Sequence, residues 1–190
     1  MPGQLEESEG LGHNQRVLKL QEDRVRAYED FEAAIRAFID GGTEEEYERA
    51  CRDITARFKV ASDQINAVND DLLTLATAAA KGLSGWIRKL QDAEKDKLYL
   101  TVASHIERKR LAKMKLAAEL VAKNAAEQGT HVCGHAHTHE SEGTTADQEL
   151  NDLALEVHGE QVDTMHKDIN IMIEKINEIL DEIRYWEDEE

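Results

Sequence analysis

The densest potential for chemistry lies in one short run, His131-Val132-Cys133-Gly134-His135-Ala136-His137-Thr138-His139. Cys133, His135, His137 and His139 alternate with small residues. In an extended segment, alternate side chains share one face and lie within a few ångströms of each other. Thiolate and imidazole are ligands for zinc and copper, and four such groups fill a tetrahedral shell. Structural zinc sites usually pair ligands from two elements, at CxxC and HxxxH spacings. One-residue spacing on a single loop resembles a loose chelator. Three readings stay open for this run: a defined zinc site, opportunistic metal capture, and a solvated polar loop.

A second group is cationic: Arg108, Lys109, Arg110, Lys113 and Lys115. Such a cluster holds phosphates, serves as an import-like patch, or forms a solvated helix face. No other set of side chains assembles a reaction centre. No glycine-rich phosphate cradle follows a strand, and no Ser/His/Asp or Cys/His arrangement has a group to position it. A di-iron site of the Glu-x-x-His kind, as found in helical bundles, is not matched. Cys51 falls on an apolar stripe and reads as a small buried hydrophobe. Trp86 and Trp186 lack a neighbouring aromatic row and read as packing plugs, not base-stacking platforms. The expectation is a non-enzyme with no catalytic residue and no cofactor beyond zinc at the His/Cys run.

Long helices must position these groups. After Pro2 the chain contains no proline, so no imino ring interrupts helical hydrogen bonding. Apolar residues recur every three or four positions. In the first helix, from about Asn14 as N-cap to Asp40, the stripe is Val17, Leu20, Arg24, Ala27, Phe31, Ala34 and Phe38. Gly41-Gly42 stops it. Thr43 with Glu46 forms a capping-box signature that opens a second helix reaching about Lys81. Its seam runs Tyr47, Cys51, Ile54, Phe58, Ala61, Ile65, Val68, Leu72, Leu75 and Ala79, in steps of four and three. The short turn makes these two helices an antiparallel hairpin. Gly82 to Gly85 predicts a break before a third helix, from about Ser84 to Ala126, that carries the basic cluster. A fourth helix runs from about Thr145 to Trp186.

This is an all-α fold, about four long amphipathic helices forming a helical hairpin, a coiled coil or an elongated four-helix bundle. The divisions are a disordered acidic leader over 1–13, the hairpin with the basic third helix over 14–126, the His-rich loop over 127–144, and the amphipathic last helix with its acidic tail over 145–190. The strict spacing of Ile169, Met172, Ile176, Ile179, Ile183 and Trp186 predicts a partner-binding seam there and makes a homo-oligomer an expectation.

Composition bounds the function. Aromatics are 5% and charged residues 33% of 190 residues, a mix closer to long-helix proteins than to compact enzymes. No apolar run nears the roughly 20 residues that span a bilayer. Two distant cysteines favour free thiols in a reducing compartment. The formal charge of −17 is uneven. Residues 1–80 hold 17 acids and 9 bases, residues 81–123 hold 5 and 11, and residues 124–190 hold 18 and 3. The basic middle pairs internally with the acidic last helix or meets an anionic partner. The overall acidity argues against strong unaided nucleic-acid binding.

Several stretches resemble a known family. Leu20-Gln21-Glu22-Asp23-Arg24 with Tyr28, Phe31 and Phe38 resembles the opening helix of the "required for excision 1-B" domain family. The similarity continues in Tyr47, Thr55, Phe58, Ser62, Ile65 and Leu72. It continues again in Ile87-Arg88-Lys89-Leu90-Gln91 with Glu94-Lys95-Asp96-Lys97-Leu98 and Thr101, and in the closing Ile176-Asn177-Glu178-Ile179-Leu180-Glu182. The resemblance implies an all-helical protein associated with DNA excision repair and no established catalytic residue. The function expected is a non-enzymatic scaffold or adaptor acting through helix-mediated protein contacts, in the nucleus or cytoplasm. Two other classes stand beside it: a coiled-coil component of a cytoskeletal or axonemal (ciliary) assembly, and a metal-binding protein using the Cys/His loop.

Overall fold

Helix α1 spans His13–Ile39 and ends where glycine lets the chain turn. In this computed structural model, which describes residues 12–128 and 142–186, Gly41 takes φ +106°. The Gly42 N–H donates to the Ala37 carbonyl (2.9 Å) and the Gly41 N–H to Phe38 (3.2 Å), the two bonds of a Schellman cap. The N-cap of α1 is Gly12, not Asn14. Asn14 lies inside the first turn, where its side chain accepts from the Gln15 N–H (2.9 Å).

Helix α2 spans Glu44–Thr74 and opens with the expected capping box. The Glu46 N–H donates to Thr43 Oγ1 (3.2 Å), and the Thr43 N–H donates to Glu46 Oε2 (3.0 Å). These bonds hold the Glu46 carboxyl below its ordinary pKa. The first four N–H groups of a helix have no partner within it, and this pair supplies acceptors reciprocally.

The second break differs from the expectation. Helix α2 stops at Thr74, and α3 (Ala78–Gln128) passes straight through Gly82 and Gly85. Ala76 turns the chain by adopting φ 56°, and Thr77 Oγ1 caps α3 by accepting from the Ala80 N–H (3.0 Å). Leu75 and Ala79 therefore do not extend the α2 seam. Gly82 serves another purpose. A Cβ there would run into the Trp186 ring, so glycine is what lets the indole lie against α3. Helix α4 spans Glu142–Arg184.

The chain divides into two compact units, residues 1–100 with 169–190, and residues 101–168. In the first unit, parts of all four helices share one core. Val17 from α1, Ile65, Val68 and Leu72 from α2, Leu83, Ile87 and Leu90 from α3, and Ile176, Ile179 and Ile183 from α4 are buried together. Each such side chain contributes about 1.5–3 kcal/mol relative to exposure. A second cluster of Ala27, Phe31, Ile54 and Phe58 fills the α1–α2 hairpin, with Cys51 packed against it. Tyr28 meets Phe58 (centroids 4.6 Å apart) and Phe38 meets Tyr47 (5.7 Å), so each step up α1 is a step down α2. That register is the antiparallel hairpin.

The second unit is thinner. Among its described residues Val162 is the one buried apolar side chain, beside buried Ser104 and His105. His158 Nδ1 lies 3.0 Å from Glu107 Oε2, tying the α4 part of this unit to its α3 part.

Candidate functional site

The first unit buries a group of polar side chains on the same stripes as its apolar core. Arg24 sits between Gln21 and Ala27 on the inward face of α1 and is 2% exposed. Its Nη2 donates to Ser62 Oγ on α2 (2.7 Å) and to Gln91 Oε1 on α3. Its Nη1 reaches Gln21 Oε1 (3.4 Å), while Gln21 Nε2 donates to Glu94 Oε1. Gln91 Nε2 closes the circuit by donating to the Ser62 carbonyl (3.2 Å) and to Asn66 Oδ1 (2.9 Å). The Tyr28 hydroxyl donates to the Glu94 carbonyl (3.3 Å), and Lys97 Nζ lies 3.6 Å above the Tyr28 ring. The network joins α1, α2 and α3, and it borders a groove of about 330 Å³ that Tyr28, Phe58 and Leu98 also line.

Burial sets the electrostatics. Desolvation lowers the Arg24 pKa, and the negative charge of Glu94 opposes that shift. Desolvation lowers Lys97 as well, again against the pull of Glu94. The Tyr28 phenol is raised, first by burial and then by the nearby Glu94 charge. Buried charges persist only when paired and hydrogen-bonded. Here one carboxylate lies among two cations, and the amide side chains of Gln21 and Gln91 carry donors and acceptors between helices. Such an arrangement fixes one helix register, because a slip of either helix strands a buried charge.

Sequence reasoning places Arg24 on the α1 stripe and names Gln21, Tyr28, Ser62, Gln91, Glu94 and Lys97 through the family resemblance, without bringing them together as a network. One signal in the sequence points to them. Arg24 on α1 and Glu94 and Lys97 on α3 occupy inward positions and carry opposite charges.

The residues singled out from sequence fall elsewhere. Cys133, His135, His137 and His139 lie outside the described residues, as do residues 1–11 and the acidic tail from 187 on. Among the described residues no group of three or more His, Cys, Asp or Glu side chains is placed to hold a metal ion. The basic cluster lies on α3 in the second unit. Arg110, Lys113 and Lys115 are exposed or half-buried along with Arg108 and Lys109, and Arg108, Lys109 and Lys113 are engaged in contacts. The seam of α4 requires a correction. Ile176 and Ile183 are buried in the first unit's own core and Met172 packs against it, so the strict spacing serves packing within the chain instead of a partner. Ile169 is half-buried. Trp86 and Trp186 pack against the same core, as plugs should, and Lys89 Nζ lies 3.7 Å above the Trp86 ring. No described helix is long and apolar enough to cross a membrane.

A helical bundle with a buried polar network across its first three helices defines the class. The sequence model for DNA repair REX1-B matches residues 13–108, just over half of the chain, and the chain belongs to that family. The match takes in every member of the network, from Gln21 to Lys97. It ends at Arg108, short of the closing α4 stretch that the resemblance included. No curated protein and no solved structure matches the chain. Family membership connects the chain to DNA repair.

Proposed function

We propose that this chain acts in DNA repair as a non-enzymatic helical adaptor, binding partner proteins along exposed faces of its helices. Family membership carries the reading. The buried network supports it, because Arg24, Gln21, Ser62 and Gln91 spend their donors and acceptors on one another. Side chains so engaged hold helices in register and are poorly placed to act on a substrate. The basic face around Arg110 and Lys115 suits an acidic protein surface better than DNA, given the chain's net charge of −17. The adaptor works in the nucleus, where its partners act.

Affinity purification of the endogenous protein, before and after DNA damage, tests the reading. Repair proteins should be recovered, and recovery should survive nuclease treatment. Recovery of none, or complete loss on nuclease treatment, would contradict it.

A further inference from the structure

The buried network leaves one of its charged groups half used. Glu94 is 5% exposed, and its Oε1 accepts from Gln21 Nε2. Its Oε2 is buried and has no hydrogen-bond partner. A carboxylate oxygen is a strong acceptor, and leaving one buried and unpaired is costly. Glu94 also lines the groove of about 330 Å³ beside the network, where Tyr28, Phe58 and Leu98 supply apolar wall. That volume is at the small end of ligand pockets, enough for one large side chain and too little for a length of peptide.

Charge decides what such an occupant can be. Arg24 and Lys97 already act on Glu94, so a third cation would be repelled by both. The charged lining of the groove, Arg24 and Lys95 against Asp92 and Glu94, sums to zero, so an anion gains nothing there. What fits is a neutral group with an apolar body and a hydrogen-bond donor. An indole meets that description: its ring buries a large apolar area, and its N–H donates without bringing an acceptor to be satisfied. We infer that the groove takes a tryptophan side chain of a partner protein, its ring against Tyr28, Phe58 and Leu98 and its N–H donating to Glu94 Oε2. This deepens the adaptor reading and rests on it. The chain's own Trp86 and Trp186 pack against the four-helix core, so the indole comes from a different protein and not from a second copy. A nucleobase would bring phosphates, for which a neutral lining and a net charge of −17 supply no counter-charge.

Titration of the full chain with N-acetyltryptophanamide, followed by backbone amide chemical shifts, tests this. The probe should bind at roughly 1–10 mM, as one residue of an interface does, and should shift the amides of Phe58 and of residues 94–98. Its ring-N-methylated analogue keeps the shape and loses the donor, and should bind about fivefold or more weakly. N-acetylargininamide should leave these amides unmoved. Asn66 is exposed and lines the groove, so Asn66→Phe fills it without entering the core. That variant should keep wild-type helix content and bind the probe about fivefold or more weakly. No shift of these amides at about 20 mM probe would overturn the inference. So would a methylated analogue or an Asn66→Phe variant that binds as tightly, or thymidine binding at the same amides more tightly than the probe. A silent groove alongside recovered repair proteins removes this inference and keeps the adaptor. Indole binding with the expected donor dependence, alongside no recovered repair proteins, keeps the groove as an indole site and removes the adaptor reading.

Discussion

Replacing Arg24 with alanine isolates the buried network. The guanidinium is 2% exposed and donates to Ser62, Gln91 and Gln21 on three helices. Its removal takes away the donor that serves Ser62 Oγ and Gln91 Oε1 and one of the two cations near Glu94. Breaking one side of a buried, hydrogen-bonded charge group costs about 3–5 kcal/mol. With a urea m-value of about 2 kcal/mol/M, the midpoint should fall by roughly 2 M. Arg24→Met keeps the aliphatic stem and should cost less, about 1–3 kcal/mol. Combined with Glu94→Gln it should recover part of that loss, with a coupling of about 1–2 kcal/mol. Arg26→Ala is the control, because that side chain is 64% exposed and its pairs with Glu22 and Asp23 lie on the surface. It should change stability by no more than about 0.5 kcal/mol. Urea unfolding followed by circular dichroism measures all of these. If Arg24→Ala cost no more than Arg26→Ala, the network would not be holding the helices.

Three further outcomes follow from particular positions. Gly85→Ala meets open space and should stabilise α3 by up to about 1 kcal/mol, whereas Gly82→Ala drives a Cβ into Trp186 and should destabilise by about 1–2 kcal/mol with a shift in tryptophan emission. Ala76→Gly relieves an alanine at φ 56° and should raise stability by about 0.5–1 kcal/mol in the same unfolding assay. The Tyr28 phenol is held above its ordinary pKa in the folded chain, so its contribution is complete below that value of about 10 and is lost as pH rises beyond it. Between about pH 10 and 11 wild type should lose more stability than Tyr28→Phe, and equal slopes would contradict the assignment.

The helices and their first boundary could be read directly because each carries a local signal. Gly41-Gly42 is a backbone requirement, and the Thr43–Glu46 box is a pair of hydrogen bonds written three residues apart. The second boundary has no such mark. Ala76 reaches the left-handed region without glycine. Thr77 caps α3 with Ala80 three residues on, where a capping box would carry a glutamate. The two glycines nearby point to a break, yet Gly82 answers to packing against Trp186 and neither glycine forms a turn. The network was hidden for a different reason. Spacing sets Arg24 on the inward stripe of α1, but only the packing of the helices shows that Glu94 and Lys97 are buried near it. The α4 seam shows the converse limit, since strict spacing at Ile176 and Ile183 establishes burial and does not say by which chain.

Cell survival after excision-repairable damage tests the central claim most directly, in cells lacking the protein and complemented with wild type or with the Leu116→Glu, Leu120→Glu variant. A DNA-repair adaptor working through exposed helix faces predicts that loss sensitises the cells, that wild type restores survival, and that the folded face variant restores it poorly. Survival unchanged by loss of the protein, or restored fully by the variant, would contradict the account.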